Sequence, residues 1–461
     1  MKRNTSIRRR PARGNAYILA MILLCVFAAV AAAYTSFTSL NVRKSDNLRA
    51  ATGARMAAEG GMDFMLQRLS LVRLPGNTTQ SNFATNLATA LNQAMGGTAN
   101  LAGQSVTVVS GEVVVPTITV PDGVFASRLV WIDANRCGLV VTGSTGGVSR
   151  SLSMELTFTP RRSAAFDYGL ASRGPISLGG NARLIGVNAP GEASVLSATT
   201  ATTQAISVEG NVQVSGDLYA AGADNQVVVS GNPTIAGSKD PAVYAEHIHL
   251  GAPVPDFPSI DVPPLAALAT YTLQPGDPTN KGTYSNLRIP AGTNPVFSRD
   301  IVLNGVVYVE APNVVQFEGK TTLNGFIVTQ ESTQPLSNCQ LRFAGNVVAN
   351  GVEALPDLPE YSTVKSKPGT FVLAPGFGVV FSGNFSAVNG SIAADQLTFT
   401  GTAEGVVKGS VIGLKDLPAQ IGGTVDIFVD RNNAVQDPAG FVPSMALEPQ
   451  GTTYTELTGG S

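Results

Sequence analysis

The chain has 461 residues; 44% are hydrophobic and only 13% are Asp, Glu, Lys or Arg, while Gly (49) and Pro (28) are abundant. High hydrophobicity with a net charge of −2 excludes an intrinsically disordered chain, and the low charged fraction excludes a body of charge-laced helices. The charge is divided: residues 1–162 carry 17 Lys/Arg and 7 Asp/Glu, net +10, whereas residues 163–461 carry 13 and 25, net −12. An acidic body of that size binds phosphate poorly, so nucleic acid is not an expected partner.

Residues 1–15 form a basic leader with Lys2, Arg3, Arg8, Arg9, Arg10 and Arg13 and no acidic residue. Asn15 to Val42 contains no charge, and within it Ala16–Ala33 is an unbroken run of 18 apolar residues. That predicts a transmembrane helix over 16–40, with the leader in the cytoplasm and the bulk of the chain exported. A cleaved signal peptide is the competing reading, with Ala29-Val30-Ala31 or Ala31-Ala32-Ala33 as the cleavage site. The charge-free stretch, however, runs on through Tyr34, Phe37 and Leu40. No Pro occurs from Arg43 to Leu74, and Met56, Met65, Leu66, Leu69 and Val72 predict a stalk helix over 41–74. Gly60-Gly61 is its weak point.

Arg13-Gly14 before the apolar run, then Asn47, Arg49 and Ala57-Ala58-Glu59-Gly60-Gly61, resemble the N-terminal region of PilX-type type IV pilus-associated proteins, over roughly residues 10–70. The resemblance implies a pilin-like protein whose apolar helix packs with other pilin-like subunits. It also implies prepilin-peptidase cleavage after Gly14, with an acidic residue five positions beyond the cut; here that position is Leu19. A simple single-pass anchor with a helical stalk accounts for the same features.

Pro75-Gly76-Asn77-Thr78-Thr79 ends the stalk and opens a small α+β, pilin-like region over 75–162. Phe83, Leu87, Leu91 and Met95 recur every four residues and predict an amphipathic helix between Ser81 and Gly96-Gly97. Strands are predicted at Val106–Val109, Val113–Val120 and Leu129–Ile132. A hairpin joins Gly138–Thr142 to Ser149–Thr159 around Gly143–Gly147. Trp131, the only Trp, is expected in the core of this sheet.

From about Phe166 the helical pattern disappears. G-N-x-x-x-x-G occurs at Gly180, Gly210, Gly231 and Gly345. Leu303-Asn-Gly-Val-Val307, Leu323-Asn-Gly-Phe-Ile327 and Phe343-Ala-Gly-Asn-Val347 follow one another at 20 residues. Short β runs at that period predict a parallel β-helix, a β-solenoid, over 163–440. In this register Leu303, Leu323 and Phe343 form one internal stack and Val307, Ile327 and Val347 another. Gly305, Gly325 and Gly345 share a corner, and Asn304 and Asn324 form an amide ladder. A β-sandwich is the alternative. The Pro-rich segment 252–264 is expected to run as an external strap, with Phe257, Ile260 and Leu265 covering apolar surface. Val352–Lys367 is a smaller excursion, and 441–461 a polar tail, frayed or capping the last coil. The fold class is thus mainly β: a transmembrane and stalk helix, a small α+β region, then the solenoid.

Little in the chain points to chemistry. Cys25 lies in the apolar segment, and Cys137 and Cys339 are expected as unpaired buried thiols. His247 and His249 would share one strand face and hold a metal only with a third ligand; Glu246 points the other way and Asp256 lies beyond two prolines. Asp217 with Asp224, and Asp256 with Asp261, are carboxylate pairs in turns, where turn chemistry explains them. No residue is therefore assigned a catalytic, cofactor-binding or metal-binding role, and no cofactor is expected. The expected function is that of a non-enzymatic, membrane-anchored surface or envelope protein. Its expected partners are the lipid bilayer and either pilin-like subunits or surface glycans, in pilus or secretion assembly or in adhesion. The alternative is an exported carbohydrate-active β-helix enzyme, a lyase or hydrolase.

Overall fold

The computed structural model describes residues 14–96, 98–222, 224–432 and 438–457. The chain is mainly β, with one long N-terminal apolar helix and a large parallel sheet. It divides into two units: one contains residues 1–72, 80–158 and 447–461, the other 73–79 and 159–446.

In the first unit, helix α1 (Gly14–Ser70) is continuous for 57 residues, so the expected membrane and stalk segments are one element. Every residue from 16 to 49 is exposed. Burial begins at Ala54 and continues through Ala57, Ala58, Met62, Met65 and Leu69, spaced to line one helix face. That face packs on an antiparallel sheet of β1 (Thr107–Val109), β2 (Glu112–Val120), β3 (Gly123–Asp133), β4 (Arg136–Thr145) and β5 (Val148–Arg161), joined in chain order. Helix α2 (Gln80–Met95) buries Phe83, Leu87, Leu91 and Met95, as its four-residue spacing predicts. Trp131 is half-buried, stacked on Phe158 at 5.3 Å and edge-on to Phe83 at 5.3 Å.

Two glycine expectations change. Gly60-Gly61 does not weaken α1: a Cβ on Gly61 would lie 2.6 Å from the Phe125 ring, so the residue is small because the sheet comes close. The β4–β5 hairpin turns at Gly146-Gly147, whose φ values of +55° and +79° suit a tight two-residue turn. Gly143 therefore lies within β4, not in the turn. A side chain there would collide with the backbone of α1 at Ala54 and Ala58. Gly143→Val is expected to cost at least about 2 kcal/mol by forcing helix and sheet apart. Because Trp131 is the only Trp, its fluorescence during thermal unfolding reads this unit alone. A transition unchanged from the parent would show that the close approach is not required.

Within the described part of the polar tail, Thr455–Leu457 is not frayed: it pairs antiparallel with Ser151–Ser153 of β5 and adds a strand to the first unit's sheet.

In the second unit one large sheet, of 25 strands among the described residues, pairs in parallel throughout, which does not fit an antiparallel sandwich. Short antiparallel pairs lie outside it, at Ser259–Ile260 with Phe441–Val442 and at Arg73–Leu74 with 445–446. One register runs Tyr271, Leu287, Val307, Ile327, Val372, Ile392, Val411, Leu170, Val195, Leu218, Ile248. A second runs Phe297, Phe317, Phe343, Phe381, Phe399, Ile421, Leu178, Val208, Val229. A third includes Tyr284, Leu303, Leu323 and Ala349. Spatial order departs from chain order, because the strand at Leu170 sits beside the strand at Val411. Residues 170–252 therefore continue the stack that residues 271–429 begin.

The 20-residue register holds for its first two members. Leu303 lies beside Leu323, Val307 beside Ile327 and Gly305 beside Gly325. The Asn324 amide donates to Asn304 at 2.8 Å, and Asn350 extends the ladder by donating to Asn324 at 2.8 Å. The third member is wrong. Phe343 stacks on Phe317, Val347 lies beside Thr321, and Ala349 follows Leu323. Gly345 likewise leaves the Gly305 and Gly325 corner: a Cβ there would strike Gly319. The common signature is Phe-x-Gly at Phe317, Phe343, Phe381 and Phe399, spaced 26, 38 and 18 residues apart because the intervening loops differ in length. Of the four G-N-x-x-x-x-G copies, Gly180, Gly210 and Gly231 form one corner column at φ of +71°, +94° and +85°.

Register partners lie about 4.8 Å apart, so the ten steps from Ile248 back to Tyr271 span roughly 48 Å. The 18 residues of 253–270 bridge that span and could reach about 60 Å if fully extended. The helical turn Pro263–Ala266 takes up part of the difference, leaving little slack. Proline suits such a segment, because it favours extended backbone and needs no ladder partner. Phe257, Val262, Leu265 and Ala269 are buried in an apolar cluster with Val306, Tyr308, Phe326 and Leu373, and Ile260 packs against it. Val352, Leu355, Tyr361 and Val364, from the smaller excursion, join the same cluster. Arg288 fixes one end of the strap: it donates to the Ala266 carbonyl at 2.9 Å, pairs with Glu310 at 2.9 Å and lies over Tyr308. Near the other end Arg173 lies 4.9 Å over the Phe257 ring.

Candidate functional site

The most distinctive surface is the N-terminal half of α1. Tyr17, Ile18, Leu19, Met21, Leu24 and Phe27 are all more than 60% exposed, and apolar side chains surround the helix on every side. A helix that is apolar all round has no aqueous face. It is long and apolar enough to cross a bilayer. Leu19 is among these exposed residues. Thr35, Ser36 and Thr38 turn their hydroxyls back to helix carbonyls, which hides polarity just beyond the apolar run.

The polar cluster with the most internal order is on the second unit. His247 Nδ1 lies 2.8 Å from Asp217 Oδ1, and His249 Nε2 lies 2.9 Å from Asp217 Oδ2. The two rings do converge, as the His-Ile-His spacing predicts, although His247 ends a helical turn and only His249 is on the strand. The partner is neither Glu246 nor Asp256. It is Asp217, 30 residues earlier, brought alongside because Leu218 pairs with Ile248 and Tyr219 with His249. Tyr219 stacks on the His249 ring at 4.5 Å, and Tyr168 meets Tyr219 edge-on at 5.2 Å. Among the described residues no group of His, Cys, Asp or Glu is arranged to hold a metal ion. Here the carboxylate is satisfied by two imidazoles.

Burial alone would raise the Asp217 pKa, but the hydrogen bonds from His249 and His247 outweigh it and hold the carboxyl below its ordinary 3.8. A carboxyl lowered on folding stabilises the fold above its unfolded-state pKa and loses that contribution as pH falls through the folded value. Asp217→Asn should lower the melting temperature by a few degrees at pH 7, and the gap should close as pH drops below about 4. A gap of the same size at pH 3 would mean that the charge contributes nothing.

The other sequence candidates are dispersed. Asp256 pairs with Arg73 at 2.9 Å and accepts from the Ser163 hydroxyl through its backbone carbonyl, while Asp261 donates its backbone N–H to Gly440. Cys137 and Cys339 are buried and free, and burial pushes the Cys137 thiol up to about 12, far from reactive thiolate. One group was not legible in the sequence. Asp395 is 6% exposed, its pKa is raised by burial, and one carboxyl oxygen has no hydrogen-bond partner. The backbone N–H of Gly376 and the charge of Lys415 oppose that rise, and Glu331 adds to it. A single Asp inside a strand, Ser391–Phe399, carries no sequence signal of its own.

No protein-family profile and no curated protein matches the chain. Among solved structures, the crystal structure of competence-associated pilin ComZ from Thermus thermophilus aligns with 88% of this chain and 97% of that chain at 15% identity. The TM-score is 0.22, a likeness too slight to carry an argument about fold or role.

Proposed function

We propose that this is a non-enzymatic, membrane-anchored, pilin-like surface or envelope protein that presents an extracytoplasmic parallel β-helix. The observation that carries the reading is the division of α1: residues 16–49 are exposed and largely apolar, whereas residues 54–69 bury one face against an antiparallel sheet. A helix that leaves half its length bare and apolar needs a bilayer or neighbouring apolar helices. Both are available to a pilin-like subunit, and the PilX-type residues around Gly14 and Ala57–Gly61 favour that form of anchor. With six basic residues before the span, the N-terminus stays inside and the chain beyond the span lies outside. The β-helix reading of residues 163–440 is supported by three parallel registers, inward apolar columns and stacked asparagine and glycine corners. The non-enzymatic reading is supported by the way Asp217, His247 and His249 satisfy one another. Other pilin-like subunits or surface glycans are the proposed partners, in pilus or secretion assembly or in adhesion.

The test is membrane fractionation of the full chain with and without prepilin peptidase, reading the mature N-terminus by mass spectrometry. A membrane-bound chain, either intact or beginning at Asn15, fits an anchor; the second also fits pilin-like processing. A soluble product beginning after Ala31 or Ala33 would establish a cleaved signal peptide and remove the anchor.

A further inference from the structure

We propose that Asn389-Gly390 is a site of spontaneous modification, where the Asn389 amide leaves as ammonia and a carboxylate forms beside Lys408. Asn before Gly is the pair most open to this reaction, because no Cβ obstructs the following backbone nitrogen. The chain contains four such pairs: Asn304-Gly305, Asn324-Gly325, Asn350-Gly351 and Asn389-Gly390. All four fall in one column of the parallel stack. Asn324 donates to the Asn304 amide oxygen, Asn350 to that of Asn324, and Asn389 to the Asn350 backbone carbonyl at 2.9 Å.

The pairs are not held equally. Asn304 and Asn324 lie inside Ile301–Val309 and Thr321–Thr329, which pair residue for residue without a break. Asn350 follows the end of Val347–Ala349, and Asn389 ends Phe385–Asn389. Between these two strands the register shifts: Val347 pairs with Phe385 but Ala349 with Val388. Such an irregularity disrupts the ladder locally.

Charge separates the last two pairs. A Cβ on Gly351 would strike the Glu353 carboxylate, so an anion crowds that pair and opposes both a second carboxylate and loss of the Gly351 proton. Asn389 instead has Lys408, an exposed cation, as its register partner. A cation there favours the deprotonated Gly390 nitrogen and the carboxylate product. Asn389 Oδ1 is buried with no hydrogen-bond partner, so the amide is held through its nitrogen alone.

The reaction begins when the Gly390 nitrogen leaves the Lys408 carbonyl, to which it donates at 3.1 Å. Having lost its proton to hydroxide, it attacks Asn389 Cγ. The new N–Cγ bond forms as Cγ–Nδ2 breaks, and Nδ2 takes a proton from water and departs as ammonia. Water then opens the cyclic imide at either carbonyl, giving aspartate or isoaspartate. The balance is one water consumed and one ammonia released. This chemistry lies in the second unit alone and does not depend on how α1 is anchored.

The test is peptide mapping by mass spectrometry of the full chain in detergent, held in mildly alkaline buffer beside a guanidinium-unfolded sample. In the folded chain the Asn389 peptide should convert first, while Asn304 and Asn324 keep their amides. In the unfolded chain all four should convert at comparable rates. Lys408→Gln should slow conversion at Asn389 in the folded chain by roughly threefold, the effect of a unit charge about 6 Å away in water. Its melting temperature should not change. If that variant misfolds, the order of the four sites in the parent decides. Conversion at Asn304, Asn324 or Asn350 ahead of Asn389 in the folded chain overturns the proposal. So does a folded chain that keeps its Asn389 amide after the unfolded one has lost it, or a folded Lys408→Gln variant that converts as fast as the parent.

Discussion

Phe343→Ala is expected to destabilise the second unit by about 3–5 kcal/mol, the range for truncating a fully buried Phe. Phe343 is 1% exposed and lies in a column of five rings: Phe297, Phe317, Phe343, Phe381 and Phe399. Successive centroids are 5.3, 4.9, 4.8 and 4.9 Å apart, with interplanar angles of 7–14°. Parallel pairing imposes this spacing, so the rings touch because the backbone brings identical positions into line. Removing the central ring leaves a void between two rigid neighbours, and the backbone ladders on both sides prevent collapse. Because each ring contacts the next, Phe317→Ala and Phe343→Ala should not be additive. A coupling of roughly 0.5–1.5 kcal/mol is expected from aromatic pairs. Far-ultraviolet dichroism during denaturation measures both quantities. A loss below 1 kcal/mol, or strict additivity, would place Phe343 outside this column.

The second large effect concerns α1. Replacing Leu23 and Leu24 together with Arg should abolish stable membrane association. Each arginine near the middle of a spanning helix costs about 2.5–3.5 kcal/mol on insertion scales. Both residues are exposed, so the double variant should leave the packed cores intact. Fractionation together with the Trp131 unfolding transition separates loss of anchoring from loss of structure. If the double variant stays in the membrane fraction, α1 does not hold the chain by spanning the bilayer.

The tail changes how the second unit should be isolated. A fragment ending at Ser461 would carry Thr455–Leu457 away from its β5 partner and expose an unpaired strand. A fragment of 159–446 follows the unit's own boundary more closely, although it omits residues 73–79.

Elements whose signal is local could be read from the residues alone. The apolar run of α1, the four-residue spacing of α2 and the strand-and-glycine rhythm after Phe166 each follow from periodicity within a few residues of the chain. The pairings of Leu303 with Leu323 and of Asn304 with Asn324 were also legible, because no insertion interrupts that 20-residue interval. Long-range packing settled the remaining positions. Phe343 left its expected column because loops of unequal length separate equivalent strands, and a constant period cannot track them. Gly143 is a close-contact residue rather than a turn residue because α1, some 85 positions earlier, lies against it. Asp217 found His247 and His249, and the strand at Leu170 found the strand at Val411, through pairings between segments far apart in the chain. Local spacing specifies which residues face inward; which distant strand covers them is chosen by the packing that leaves the fewest backbone edges and apolar surfaces open.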